Sequence, residues 1–315
     1  MRTFDDEKKL AKLREPAEPH EVRDYRNEEP ASDAEFQIYR RLYTYDPVPL
    51  NARVEDVDTL EHWTREKVAF DLPYGERGGA FLYLSRNADP PFEVVVFWGS
   101  DFVFSRDPAL AEYLEHFDFL MKSGIAVAQP IFKGPFGRRD DSVTGWYRQS
   151  LYDVEEGPVY VAGSRYRDHQ TKWVQELSRT VDYLETRDDI DSSRLGYYSL
   201  SWGANVAPIA LALEERIDAA VLVGGGLAGG AYRRLPEIDP FNFAPSVRVP
   251  VLMLNGEYDT VVPLETSQKP MYRLLGTEPE HKKHYVAPAT HILAQDELIR
   301  ETLNWFDRYL GGSRD

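Results

Sequence analysis

The chain contains no cysteine, which excludes a disulfide framework, a thiolate metal site and a cysteine nucleophile, and leaves the redox compartment open. Positive charge is scarce: 37 Lys and Arg stand against 53 Asp and Glu, for a net charge of −16. A field of that sign repels nucleic acid and acidic membrane surfaces, so neither is expected as a partner. No stretch reaches the roughly 18 apolar residues that span a bilayer. The N-terminal MRTFDDEKKLAKLRE lacks the apolar core of a signal peptide, so a soluble, cytoplasmic chain is expected. Internal repeats and low-complexity tracts are absent as well.

What is present supports a large core, with 42% hydrophobic and 13% aromatic residues over 315 positions. Residues 1–34 are charged and punctuated by proline, and read as an arm with a short helix over Asp6 to Arg14. From Trp63 onward, β-rich runs alternate with helical patterns. The runs are KVAFDL, AFLYLS, EVVVFW, IAVAQP, LGYYSL, AAVLVG, PVLMLN and KHYVA, eight candidate strands. Helical patterns, with apolar residues three or four apart, fall at 107–123, 169–187, 202–214, 265–275 and 294–310. Such alternation implies an α/β fold with a mainly parallel eight-stranded sheet flanked by helices, its first two strands forming an antiparallel hairpin. Residues 35–315 are expected to form one domain. One interval breaks the rhythm: an insert of about 134–168, after the fourth strand, is long enough to be a functional loop or lid. Its aromatics Trp146, Tyr147, Tyr152, Tyr160 and Tyr166 either line a substrate pocket or pack the insert onto the body.

The segment YSLSWGAN at 198–205 carries the chemistry. A serine lifted on a sharp strand-to-helix turn needs small residues two before and two after it. Centring on Ser201 places Ser199 and Gly203 at those positions, whereas centring on Ser199 places bulky Tyr197 there. Ser201 is therefore the expected nucleophile, against the plainer reading of a serine that merely caps a helix. A serine hydroxyl needs a base, and the base needs an acid to orient it. In α/β-hydrolases these follow as Ser, Asp or Glu, His, each at the carboxyl end of a later strand. PVLMLN runs into GEYDTVVP and presents Asp259; KHYVA runs into PATHILAQDE and presents His291. Glu257 lies too near the strand end, Glu265 opens a helix, and His20, His62, His116, His169, His281 and His284 lie in charged or misplaced settings.

For the oxyanion, Trp202 N–H follows the nucleophile, and GSDFVF after the third strand offers Ser100 first and Asp101 second, the acidic side chain turned away. Trp98 and Phe102, flanking that turn, join Trp146, Tyr147 and Tyr166 as candidate substrate contacts. GGGLAG at 224–229 satisfies GxGxxG but follows a late strand and leads into no full helix, so it reads as a loop beside the site. RDDIDSSR at 187–194 reads as a solvated turn. No metal and no cofactor is expected.

With these residues in place, the chain resembles the α/β-hydrolase superfamily over residues 63–312, in its prolyl-oligopeptidase and dienelactone-hydrolase-like branch. The segments YLETRDDIDSSRLGYYSLSWGAN and VPVLMLNGEYDTVVPLETSQ carry the likeness. A closer similarity, from YRRLYTYDPVPLNARVE through PLETSQKPMYRLLGTEPEHKKHYV, is to hydrolase domains fused behind bacterial serine/threonine kinases, although no kinase signature is present. The resemblance implies hydrolysis of a small-molecule carboxylic ester; peptide or amide cleavage and a non-catalytic interaction domain are the alternatives. Ser199, Trp98 and Thr290 depart from the usual pattern and bear on substrate preference. A homo-oligomer is left open.

Overall fold

The computed structural model describes residues 23, 25, 26, 28–100, 114–135, 138, 153–154, 160–227 and 232–311. Its main sheet contains β1 (Arg53–Thr59), β2 (Trp63–Asp71), β3 (Arg77–Ser85), β4 (Phe92–Trp98), β5 (Ala126–Pro130), β8 (Ile190–Leu200), β9 (Ala219–Val223), β11 (Val251–Gly256) and β12 (Lys282–Ala287). Their spatial order is β1-β2-β3-β5-β4-β8-β9-β11-β12. The pairs β1–β2, β2–β3 and β3–β5 are antiparallel; every pair from β5–β4 to β11–β12 is parallel. The parallel strands β5, β9 and β11 are buried at every residue, the signature of a sheet covered on both faces. A second sheet of three short strands joins β6 (Asp153–Val154), β7 (Tyr160–Ala162) and β10 (Tyr232–Arg234).

The main sheet thus has nine strands, correcting the expected eight. The addition is β1, whose sequence RVEDVDT is exposed at six of seven positions. An edge strand covered by neither helical layer has no apolar alternation to betray it.

Helices α1 (Asp33–Tyr43), α2 (Asp118–Lys122), α3 (Ser164–Leu184), α4 (Trp202–Leu213), α5 (Pro240–Phe243), α6 (Lys269–Leu274) and α7 (Gln295–Tyr309) complete the body. The two faces of β8 show how they are layered. Gly196 meets Phe306 and Leu310 from α7 and its end, and Tyr198 packs edge-to-face against Phe119 of α2. Tyr197, one residue out of phase, donates its hydroxyl to Gly203 O of α4 on the other face. Trp173 of α3 packs on Trp202 of α4, which puts α3 in that same layer.

Helix α1 went unread in the sequence. Ser32 and Glu35 form a capping box, and Phe36 and Tyr43 bury against Phe243 at 5.6 and 5.8 Å. Helix α3 starts at Ser164, not near Asp168 or 169, because Tyr166 is already packed inside. Of the helix expected at 107–123, residues 114–123 are described, with a turn at 115–117 and helix α2 at Asp118–Lys122. The helix expected over Asp6 to Arg14 and most of the insert lie outside them. Near the chain start, Arg23 pairs with Asp239 at 2.5 Å and buried Tyr25 packs on Phe241 at 5.3 Å. No helix among the described residues is long and apolar enough to cross a membrane.

Candidate active site

Ser201 links β8 to α4 with φ 48° and ψ −104°. Among described non-glycine residues only Asn51 shares a positive φ. A β-carbon in that region costs on the order of 1–2 kcal/mol, so the surroundings must hold it there. They do so with Ser201 N–H to Val223 O at 2.8 Å, Asn205 N–H to Ser201 O at 2.8 Å, and Gly203 N–H to Gly99 O at 3.1 Å. Gly203 has no alternative: a Cβ there would lie 2.3 Å from the Trp98 carbonyl oxygen and 2.9 Å from that of Gly99. Ser199 is wholly buried and in register between Trp98 and Leu222.

The acid and base come from the carboxyl ends of β11 and β12. The Asp259 Oδ1 accepts from Val261 N–H at 2.7 Å and Val262 N–H at 3.0 Å, leaving Oδ2 to aim elsewhere. Beneath this loop, buried Gln268 donates to Gly256 O at 2.9 Å and Val262 O at 2.8 Å. The loop after β12 is pinned to it by Glu257 N–H to Ala287 O at 2.8 Å and Tyr258 N–H to Ala289 O at 3.0 Å. His291 is then held with Nδ1 at 2.7 Å from Asp259 Oδ2 and Nε2 at 2.8 Å from Ser201 Oγ. Because a carboxylate only accepts, Nδ1 carries the proton and Nε2 accepts from the serine hydroxyl.

The first glycines of the 224–229 run contribute here. Gly224, at φ 62°, would place a Cβ 3.1 Å from His291 Cε1. Gly226 N–H donates to Asn205 Oδ1 of α4 at 3.0 Å. The competing groups lie apart from Ser201: exposed Glu265 pairs with Lys269, His169 Nδ1 contacts Arg165 O, and His281 contacts the Tyr309 hydroxyl. Arg187 pairs with Glu66 and Asp189, and Arg194 with Asp191, so 187–194 is an ion-paired turn before and into β8.

On the opposite side of Ser201, the Gly99 contact seats the β4 loop against the elbow, with Ser100 buried beside it. Trp202 is the first residue of α4, where backbone N–H groups point off the helix end. Two of the expected substrate contacts, Trp98 and Tyr166, are wholly buried in this structure. Trp98 packs between Phe132 at 4.4 Å and Trp202 at 5.4 Å. The Tyr166 hydroxyl accepts from Trp202 Nε1 at 3.4 Å. Trp173, which the sequence reading passed over, ties this cluster together, 4.9 Å from Trp202 and donating to Lys133 O at 2.8 Å. The only signal for it was its place on the inward stripe of α3. Asp101, Phe102, Trp146 and Tyr147 lie outside the described residues.

Solved structures share this architecture. An acetyl xylan esterase from Paenibacillus sp. R4 matches with a TM-score of 0.66 at 17% identity, over 96% of this chain and 99% of that one. Acetyl xylan esterase 1 from Thermoanaerobacterium sp. JW/SL YS485 matches at 0.66 and 17% identity, over 94% and 97%. The fold is that of the α/β-hydrolases. A glucuronoyl esterase from Solibacter usitatus has the same fold, with a TM-score of 0.58 and 14% identity over 87% of this chain and 92% of that one. No family model and no curated protein matches the sequence. In an α/β-hydrolase fold the carboxyl ends of β4, β8, β11 and β12 share one edge of the sheet, which is why residues 99–100, 201, 259 and 291 meet despite their separation.

Proposed function

We propose that the protein is a serine hydrolase that cleaves carboxylic esters through an acyl-enzyme. The observation that carries this reading is the unbroken hydrogen-bond chain from Asp259 through His291 to Ser201, at 2.7 and 2.8 Å, on a serine held in a strained turn. Ser201 Oγ attacks the ester carbonyl as His291 Nε2 takes its proton. The charge that forms on His291 is stabilised by Asp259, whose own position is set by two backbone donors. The backbone N–H groups of Trp202 and Ser100 receive the oxyanion, with Asp101 as the second choice for the β4 loop. The His291 proton then passes to the alkoxy oxygen as its bond to carbon breaks, and water repeats the cycle on the acyl group. Phe102, Trp146 and Tyr147 contact the substrate, and residues 35–315 form the catalytic body. Ester over amide is favoured because the compared proteins are esterases by name.

A panel of p-nitrophenyl esters of graded acyl length, with fluorophosphonate labelling, tests the proposal. Ser201→Ala should abolish labelling and lower kcat by about 10⁴–10⁶, while Ser199→Ala keeps measurable turnover. Absence of labelling and of turnover in the folded wild-type protein would overturn it.

A further inference from the structure

Nine large apolar side chains are exposed among the described residues, and most lie on the edge strand β1, the loop after it or helix α1. Of the other four, Val286 lies on β12 and three sit on the loops beyond β11 and β12: Tyr258 is 61% exposed, Val261 57% and Ile292 43%. Each of these three sits within two positions of Asp259 or His291, on loops joined by the Tyr258 N–H to Ala289 O bond. Scattered apolar residues on a surface need no account, but a group gathered at the mouth of a reactive site does. The backbone that carries these side chains is also held in place. The Asp259 carboxylate fixes the backbone of Val261, and Gln268 clamps Gly256 and Val262 from below. A rigid apolar platform binds with little ordering cost.

We infer that Tyr258, Val261 and Ile292 form the subsite for the alcohol portion of the ester, and that this portion is apolar. The inference rests on the proposed hydrolysis at Ser201 and specifies which half of the substrate lies where. His291 must hand its proton to the alkoxy oxygen, so that oxygen approaches the part of the imidazole left open. The ring is 26% exposed; Gly224 covers its Cε1 side and Asp259 its Nδ1 side. The oxyanion segment at 99–100 and Trp202 lie across Ser201, next to the buried aromatic cluster, and take the carbonyl and acyl side. The alcohol therefore leaves over the loops that carry Tyr258, Val261 and Ile292. Exposed Glu257 and Glu265 flank the platform, and the net charge is −16, so neutral apolar alcohols are accepted and anionic ones repelled.

The test compares ethyl with hexyl acetate, which vary the alcohol, and ethyl acetate with ethyl octanoate, which vary the acyl group. In Val261→Ser and Ile292→Ser the hexyl-to-ethyl ratio of kcat/KM should fall about tenfold; Tyr258→Ser should follow and Tyr258→Phe should restore it. The octanoate-to-acetate ratio should hold. A hexyl-to-ethyl ratio that stays constant, or a loss that follows the acyl series, overturns the inference while leaving ester hydrolysis standing. Binding supplies a readout without turnover: titrating the Ser201→Ala protein with hexyl acetate should shift the methyl resonances of Val261 and Ile292. Absence of that shift overturns the subsite, whereas its presence in a protein whose wild type hydrolyses nothing would count against the proposed reaction alone.

Discussion

Replacing Gly203 by alanine tests the elbow at its tightest point. The added Cβ would stand 2.3 Å from the Trp98 carbonyl oxygen, 2.7 Å from Trp98 Cδ1 and 2.9 Å from the Gly99 carbonyl oxygen. Relaxed carbon–oxygen contacts run at about 3.3–3.6 Å, so one side must retreat by about 1 Å. None of the three obstacles is a flexible side chain. Two are backbone carbonyls at the end of β4, and Trp98 is locked between Phe132 and Trp202. The displacement therefore falls on the 98–100 backbone, breaking the Gly203 N–H to Gly99 O bond and moving the Ser100 N–H away from the position proposed for the oxyanion. Overpacking of this kind costs about 1–3 kcal/mol of stability, which for a chain of this size lowers Tm by roughly 2–4 °C per kcal/mol. Loss of one oxyanion donor lowers kcat by about 10²–10³. The assay pairs thermal unfolding with steady-state hydrolysis of one p-nitrophenyl ester, with circular dichroism as the check on fold. A Gly203→Ala protein that is folded and retains kcat within threefold of wild type would refute the argument that this backbone contact sets the oxyanion site.

Three further outcomes follow from other parts of the structure. Asp259→Asn should reduce kcat by about 10⁴, since a carboxamide no longer selects the His291 tautomer, with a much smaller change in denaturation midpoint; comparable losses in both would point to a structural role. His284 in β12 is held by burial, and by the nearby Lys269 charge, at about 4 against an ordinary 6.5. The unfolded chain thus takes up this proton first, so stability is fully present above pH 6.5 and is lost as pH falls towards 4, by about 1–2 kcal/mol after allowing for partial exposure. Denaturant midpoints at pH 7 and 4.5 should converge in His284→Gln relative to wild type, and an unchanged difference would refute the assignment. Glu176 is buried, its carboxyl pushed up by desolvation, yet it accepts from Tyr74, from Arg138 at 2.5 Å and from Lys133 N–H at 2.9 Å. Glu176→Ala should cost about 2–3 kcal/mol in urea unfolding by stranding those donors at the root of the insert; a cost below half a kcal/mol would show that they find other partners.

Much of this was legible in one dimension because it is local. The eight strands read from apolar runs all occur, most of them as buried segments such as β5, β9 and β11, with the half-exposed β12 among them. The choice of Ser201 over Ser199 needed only residue sizes at two neighbouring positions, and Gly203 shows the steric contact behind that rule. The residues named as nucleophile, acid and base lie within hydrogen-bond distance because parallel strands in sequence order deliver their carboxyl ends to one edge. Strand β1 was not legible, because an exposed acidic edge carries no burial pattern, and helix α1 was hidden by the charged stretch around it.

What the sequence by itself determined was the kind of element over most of the sheet and the order in which reactive side chains meet the sheet edge, since periodicity and residue size act over a few neighbours. Only the tertiary structure decided that Trp98 and Tyr166 face inward on Trp202 and Trp173, that Gly224 lies against His291, and that Tyr258, Val261 and Ile292 stand exposed beside Asp259 and His291. Those are contacts between residues far apart in the chain, fixed by the packing of layers, and no local pattern encodes them.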